Sequence, residues 1–237
     1  MVLLSMAVVA GGVLPAHAAE TNLPAARAAD PAGQAPGTRA LFPGTAGPDR
    51  RAEADDRQPA PAMAGTVAYV SGTGGEPWGQ PGNVNALNDV FGTGNWDRLE
   101  FPSAVGNGLF EYDFIFIDGG DGADAEFTTF MNTYRADLET WVDRGGCLLL
   151  NAARYSGDVL DLGFGVALMQ DYNFDGLAID TSHPVFDGPF GFTGDTFAGD
   201  YLAHDSVAGD GITVLMKGEQ GTAILAEQTY GDGHVVF

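Results

Sequence analysis

The chain has 237 residues, 45% of them hydrophobic, which is enough apolar material for one sizeable core and not for two. Its formal net charge is −22: residues 1–63 carry five Arg against six acids, and residues 64–237 carry four Arg and one Lys against 26 acids. A body this acidic repels phosphate backbones and anionic bilayer surfaces, which argues against nucleic acid as a partner; the single cysteine, Cys147, excludes an internal disulfide.

Residues 2–14 form an apolar run too short to span a bilayer, followed by Ala16-His17-Ala18, which has the small-x-small form of a signal-peptidase site. No Lys or Arg precedes the run. The pattern predicts an export signal over residues 1–18, no membrane span in the mature chain, and a secreted, periplasmic or cell-surface location. Residues 19–64 are rich in Ala, Pro, Gly, Arg and Asp, and Pro24, Pro31, Pro43 and Pro59 are among the prolines that interrupt any helix. This segment reads as a disordered Ala/Pro-rich linker.

The folded body is expected over residues 65–237. Residues 66–70 read as a strand ended by Ser71-Gly72-Thr73-Gly74-Gly75, and Val84, Leu87, Val90 and Phe91 at 3,4 spacing predict a short helix stopped by Gly92. A second strand is expected over 96–101. Phe114-Ile115-Phe116-Ile117 is a continuous apolar run, as in strands covered on both faces. After the acidic turn Asp118-Gly119-Gly120-Asp121-Gly122, the stripe Phe127, Phe130, Met131, Tyr134, Leu138, Trp141 predicts a long amphipathic helix. Asp121 or Asp124 is its expected cap and Gly145 its left-handed stop. Cys147-Leu148-Leu149-Leu150 then reads as another buried strand. Beyond Asn151, strands are expected over 164–170, 176–180, 212–217, 222–230 and 234–237, between Gly/Asp turns. The expected fold class is α/β: a flavodoxin-like three-layer sandwich, mainly parallel, with a β-rich C-terminal part. The apolar ending Val235-Val236-Phe237 is read as a domain truncated at its C-terminus.

Three segments resemble the class I glutamine amidotransferase-like superfamily, nearest its trehalose-utilisation-protein-like branch. Residues 141–153, with Gly145-Gly146 before Cys147 and Asn151-Ala152-Ala153 after the strand, are similar to its helix, Gly-Gly, strand, small-residue segment. His183-Pro184-Val185 is similar to a His-Pro-hydrophobic segment, and Tyr230-Gly231-Asp232-Gly233 to a late hairpin turn. The resemblance implies a flavodoxin-like winding, and it also locates what is missing. The family's nucleophilic cysteine follows its strand, whereas Cys147 precedes one; the elbow position holds Asn151-Ala152-Ala153, and Val185 stands where an acid would follow the His-Pro. A Cys-His-Glu triad does not carry over.

Each candidate site also has a plainer reading. Cys147 reads as a small core residue rather than a nucleophile. Asp118, Asp121 and Asp124 lie at a strand's carboxyl end, where open sheets bind ligands, and either hold Ca²⁺ or cap the helix. Asp171, Asn173 and Asp175, followed by Gly176, have the spacing of half an EF-hand loop, or of an Asp/Asn/Gly hairpin turn. His183 is a pocket acid/base or a turn histidine, and Trp78 a stacking surface or a residue packed beneath its loop. A ligand pocket is expected from Ser71, Thr73, Asp118, Asn151, Arg154 and His183, with no catalytic residues. The functional expectation is a secreted, acidic, non-catalytic module binding a protein, a glycan or Ca²⁺ at the strand ends. The alternatives are a carbohydrate-related or metal-assisted hydrolase of the trehalose-utilisation-like type, and a purely structural domain.

Overall fold

The computed structural model describes residues 66–155, 157–186 and 194–237, and of Asp121, Asp200 and Tyr201 the backbone alone. The expected export signal and linker lie outside the described residues.

Four strands of the first half pair in parallel: β1 (Val67–Ser71), β2 (Asp97–Glu100), β3 (Phe114–Gly120) and β4 (Cys147–Ala153), in the order β2-β1-β3-β4. Two helices cover this end of the sheet, α1 (Gly82–Phe91) on one face and α2 (Asp124–Asp143) on the other. Strand alternation sorts the side chains between them. Val67, Tyr69, Phe114 and Phe116 meet Leu87 and Phe91 of α1. Ala68, Val70, Ile115 and Ile117 meet Phe127, Phe130 and Leu138 of α2. Burial on both faces is why β3 reads as an unbroken apolar run.

The second half is antiparallel. It contains β5 (Leu160–Gly163), β6 (Val166–Ala178), β7 (Thr196–Gly209), β8 (Thr213–Gly218), β9 (Ala223–Tyr230) and β10 (Gly233–Val236). β6 pairs with β7 and β8, and both pair with β9, so these four strands close into a ring. β10 is the seam, parallel to β4 on one side and antiparallel to β9 on the other. The turn before β10 is pressed against the end of α2: Asp232 N donates to Asp143 O (3.0 Å) and His234 N to Gly146 O (3.1 Å). A Cβ on Gly233 would lie 2.0 Å from Val142 O, so the position admits only glycine.

The flavodoxin-like, mainly parallel three-layer sandwich is therefore corrected. All ten strands of the described residues belong to one sheet, six of its ten pairings are antiparallel, and helices cover only one end. The physical reason is that, among the described residues, no amphipathic helix follows β4. Without a crossover helix the chain returns through hairpins, which impose antiparallel pairing. Three local readings also change. β4 runs straight through Asn151 and Ala152 to Ala153, so no strand-to-helix elbow forms there. α2 starts after Ala123 with no side-chain cap, and Asp124 instead lies in its first turn. The stretch Asp171–Gly176 is neither half of a calcium loop nor a hairpin turn; it lies inside β6, where bulges flank Asn173.

Candidate functional site at the strand ends

β1 and β3 end side by side, and Tyr69 and Asp118 project from them into a shared polar cluster. Asp118 is buried at the level where apolar residues would continue the strand. Its Oδ1 accepts from Gly120 N (3.0 Å), and its Oδ2 accepts from Asn83 Nδ2 of α1 (2.8 Å). The Tyr69 hydroxyl lies 3.1 Å from Asp118 Oδ2 and 3.1 Å from Glu76 Oε2. One phenol proton cannot serve two carboxylates at once, so a proton on Asp118 relieves the cluster. Burial, with Glu76 adding to it, pushes the Asp118 carboxyl up to about 6 against the lowering effect of its hydrogen bonds. The same burial, reinforced by Asp118, drives the Tyr69 phenol upward.

Arg98 closes one side of this cluster. It pairs with Glu76, donates to Ser71 Oγ (2.8 Å), and lies over the Tyr69 ring with its guanidinium 5.6 Å from the centroid. Thr73, in the loop after β1, donates its backbone N–H to Glu126 Oε2 of α2 (3.0 Å).

An aromatic surface adjoins the carboxylates. Trp78, Tyr155 and Tyr172 surround the buried His204 ring, with centroids 5.9, 5.8 and 5.3 Å from it. The three aromatic side chains are 50%, 55% and 39% exposed, in a protein whose other tryptophans are largely packed away. Trp78 adopts a positive φ of 51°, a conformation that costs a bulky residue energy and concentrates at functional positions. Its ring lies over Gly120: a Cβ there would sit 3.3 Å from the indole and 3.1 Å from Asp118 Oδ1. Gln170 Nε2 ties the two tyrosines, donating to Tyr155 O (3.2 Å) and Tyr172 Oη (2.9 Å).

The expected pocket residues divide. Ser71 and Asp118 take part in the cluster, Thr73 is tied instead to Glu126 of α2, and Asn151 is exposed on β4 beside Asp118 in register. Arg154 is buried as a structural cation: its backbone N donates to Asp205 Oδ2 (2.8 Å) and its Nη2 to Asp205 Oδ1 (3.1 Å). His183 does not join the cluster. Val185 N donates to its Nδ1 (3.3 Å), which places the proton on Nε2, and that atom faces Glu227 Oε1 (3.1 Å). His234 Nε2 faces the other oxygen, Glu227 Oε2 (3.2 Å), so one carboxylate of β9 holds two imidazoles.

The acids considered as calcium ligands are spread out. Asp124 Oδ2 accepts from Tyr155 N (3.0 Å), and Asp171 accepts from Thr222 Oγ1. Asp175 sits further along the extended β6, and the side chain of Asp121 is not among those described. Among the described residues, no group of three or more His, Cys, Asp or Glu could hold a metal ion. Cys147 opens β4 half-buried, and burial pushes its thiol up, away from the thiolate a nucleophile needs. Among the described residues no helix is long and apolar enough to cross a membrane.

No protein family and no curated protein matches this sequence. Among the solved structures that resemble this chain, two show how distant the likeness is. The exo-β-1,4-mannosidase Op5Man5 from Opitutaceae bacterium strain TAV5 is 15% identical with a TM-score of 0.41, over 72% of this chain and 30% of that one. This chain thus spans less than a third of the mannosidase. A GMP synthase subunit from Thermoplasma acidophilum is 13% identical with a TM-score of 0.46, over 72% of this chain and 82% of its own. Neither likeness is close enough to carry an argument about function.

Sequence reasoning singled out Ser71, Asp118 and Trp78 but not Tyr69, Glu76, Asn83 or the other aromatic rings around His204. Tyr69 looked like an ordinary strand residue, and Tyr155, Tyr172 and His204 come from three separate parts of the chain. A tyrosine flanked by apolar residues in a buried strand is a usable signal in hindsight, because its hydroxyl needs a partner. Nothing local announces the convergence on His204.

Proposed function

We propose that the protein is a secreted, acidic, non-catalytic module that binds a glycan at the carboxyl ends of β1, β3 and β4. The observation that carries this reading is the exposed Trp78, Tyr155 and Tyr172 surface around His204, bordered by the Asp118 cluster. Flat aromatic faces offer large contact area to the C–H faces of sugar rings, and nearby carboxylates and amides supply fixed hydrogen-bond partners for hydroxyls. The small-x-small segment after the apolar run supports export. Titration with oligosaccharides tests it, read by calorimetry and by tryptophan fluorescence. Saturable binding that Trp78→Ala removes is the expected result; binding unaffected by Trp78→Ala contradicts the proposed location.

A second reading, a hydrolase of the trehalose-utilisation-like type, is favoured by one observation. A buried carboxyl held at about 6 is poised to donate a proton near neutrality. Turnover of an aryl glycoside that disappears in Asp118→Asn would select this reading over the first.

A further inference from the structure

The charges around the aromatic surface specify the kind of sugar, an inference that rests on the glycan reading above. Two arginines stand at the strand ends, and each is matched by its own carboxylate: Arg98 by Glu76, and Arg154 by Asp205. Two further carboxylates bond only neutral groups. Asp118 is held by Tyr69, Asn83 and Gly120 N, and Glu126 by the backbone N–H and hydroxyl of Thr73. The charge left over is negative. It lies close to the aromatic rings: Gly120 alone separates the Asp118 carboxylate from the Trp78 indole, and the Pro77–Gly79 turn that carries Trp78 packs on the Asp121–Ala123 turn at the start of α2.

A uronic acid or a sulfated sugar would meet this surface with like charge, and a neutral sugar would leave the excess unused. A positively charged group is favoured twice, by the carboxylates and by the faces of the aromatic rings. We propose that the ligand is a glycan bearing free amines, of the de-N-acetylated hexosamine class. The sugar ring stacks on Trp78, and its ammonium group is directed toward Glu126, the carboxylate of the pair that is not buried.

The test compares a glucosamine trimer with its fully N-acetylated counterpart, by calorimetry at low and high salt, on the full chain. The chain is so acidic that cationic oligomers can associate anywhere on it, so Trp78→Ala and Glu126→Gln are the deciding variants; both change residues outside the core, and circular dichroism checks their folding. The expected result is amine binding about tenfold tighter than N-acetyl binding. Trp78→Ala should abolish it, and Glu126→Gln and added salt should weaken it. N-acetyl binding equal to or tighter than amine binding overturns the charge inference and leaves the glycan surface intact. Binding of neither trimer or any other oligosaccharide overturns both. Amine binding that Trp78→Ala leaves unchanged is non-specific attraction, and it too overturns the inference.

Discussion

Replacing Asp118 by Asn tests the strand-end cluster through its proton. Burial pushes this carboxyl from an ordinary 3.8 to about 6 in the folded protein. Between those values the folded state keeps a proton that the unfolded chain has released. The stabilisation is therefore fully present below the unfolded value and is lost as pH rises through about 6. The gap is equivalent to about 3 kcal/mol, a sizeable part of the stability of a domain this size. The substituted amide cannot titrate, and its altered hydrogen bonding adds an offset that does not depend on pH. Urea unfolding of both proteins at several pH values from about 4 to about 7 isolates the contribution, since titrating groups not coupled to Asp118 cancel in the difference. The variant should gain about 2 kcal/mol relative to the wild type across that range, most of it before about pH 6. Curves that stay parallel would mean that Asp118 ionises as an exposed carboxyl does, and the account of the cluster would be wrong.

Gly233→Ala forces a methyl group against the Val142 and Gly146 carbonyl oxygens, which the helix end and its turn hold in place; a loss of roughly 3–5 kcal/mol in chemical denaturation is expected. Asp205→Ala leaves the Arg154 guanidinium buried without its carboxylate and should cost about 3–5 kcal/mol, whereas the paired change Arg154→Met with Asp205→Leu should recover much of that loss. Phe127→Ala opens the core beneath Gly119, where the ring fills the space a Cβ would occupy, and should cost about 3–5 kcal/mol with a lowered melting temperature. Glu227→Ala frees both imidazoles it holds, so amide hydrogen exchange in residues 183–186 should accelerate while exchange in α2 is unchanged.

The first half of the fold was legible because its signals are local. β3, α2 and β4 emerge within a residue or a few of the expected positions: the apolar runs are continuous, the helical stripe is long, and Gly145 takes the left-handed conformation that ends the helix, with φ 107°. The second half hid its order. β7, Thr196–Gly209, passed unread because Gly, Ala, Asp and Ser residues separate its few large apolar ones, and β5, Leu160–Gly163, because it is short. β6 read as two strands because the bulges beside Asn173 break the alternation that marks a single one. The error in fold class came from extending a parallel pattern across Asn151, where pairing is decided by contacts far apart in sequence. The site followed the same division. Asp118 was visible at a strand end, but the bond that holds His183 away from it depends on Glu227, 44 residues later.

The seam position of β10 has a kinetic consequence. It comes after every other described strand, yet it alone joins β4 to β9, bringing Cys147 beside His234 across 87 residues of chain. Until it inserts, the edges of β4 and β9 stand open, each able to accept a strand from another molecule. Completing the sheet is thus a late, long-range event, which slows folding and lengthens the interval in which nascent chains can associate wrongly. Refolding yield should fall as protein concentration rises, and a peptide with the β10 sequence, supplied in trans during refolding, would compete for the gap.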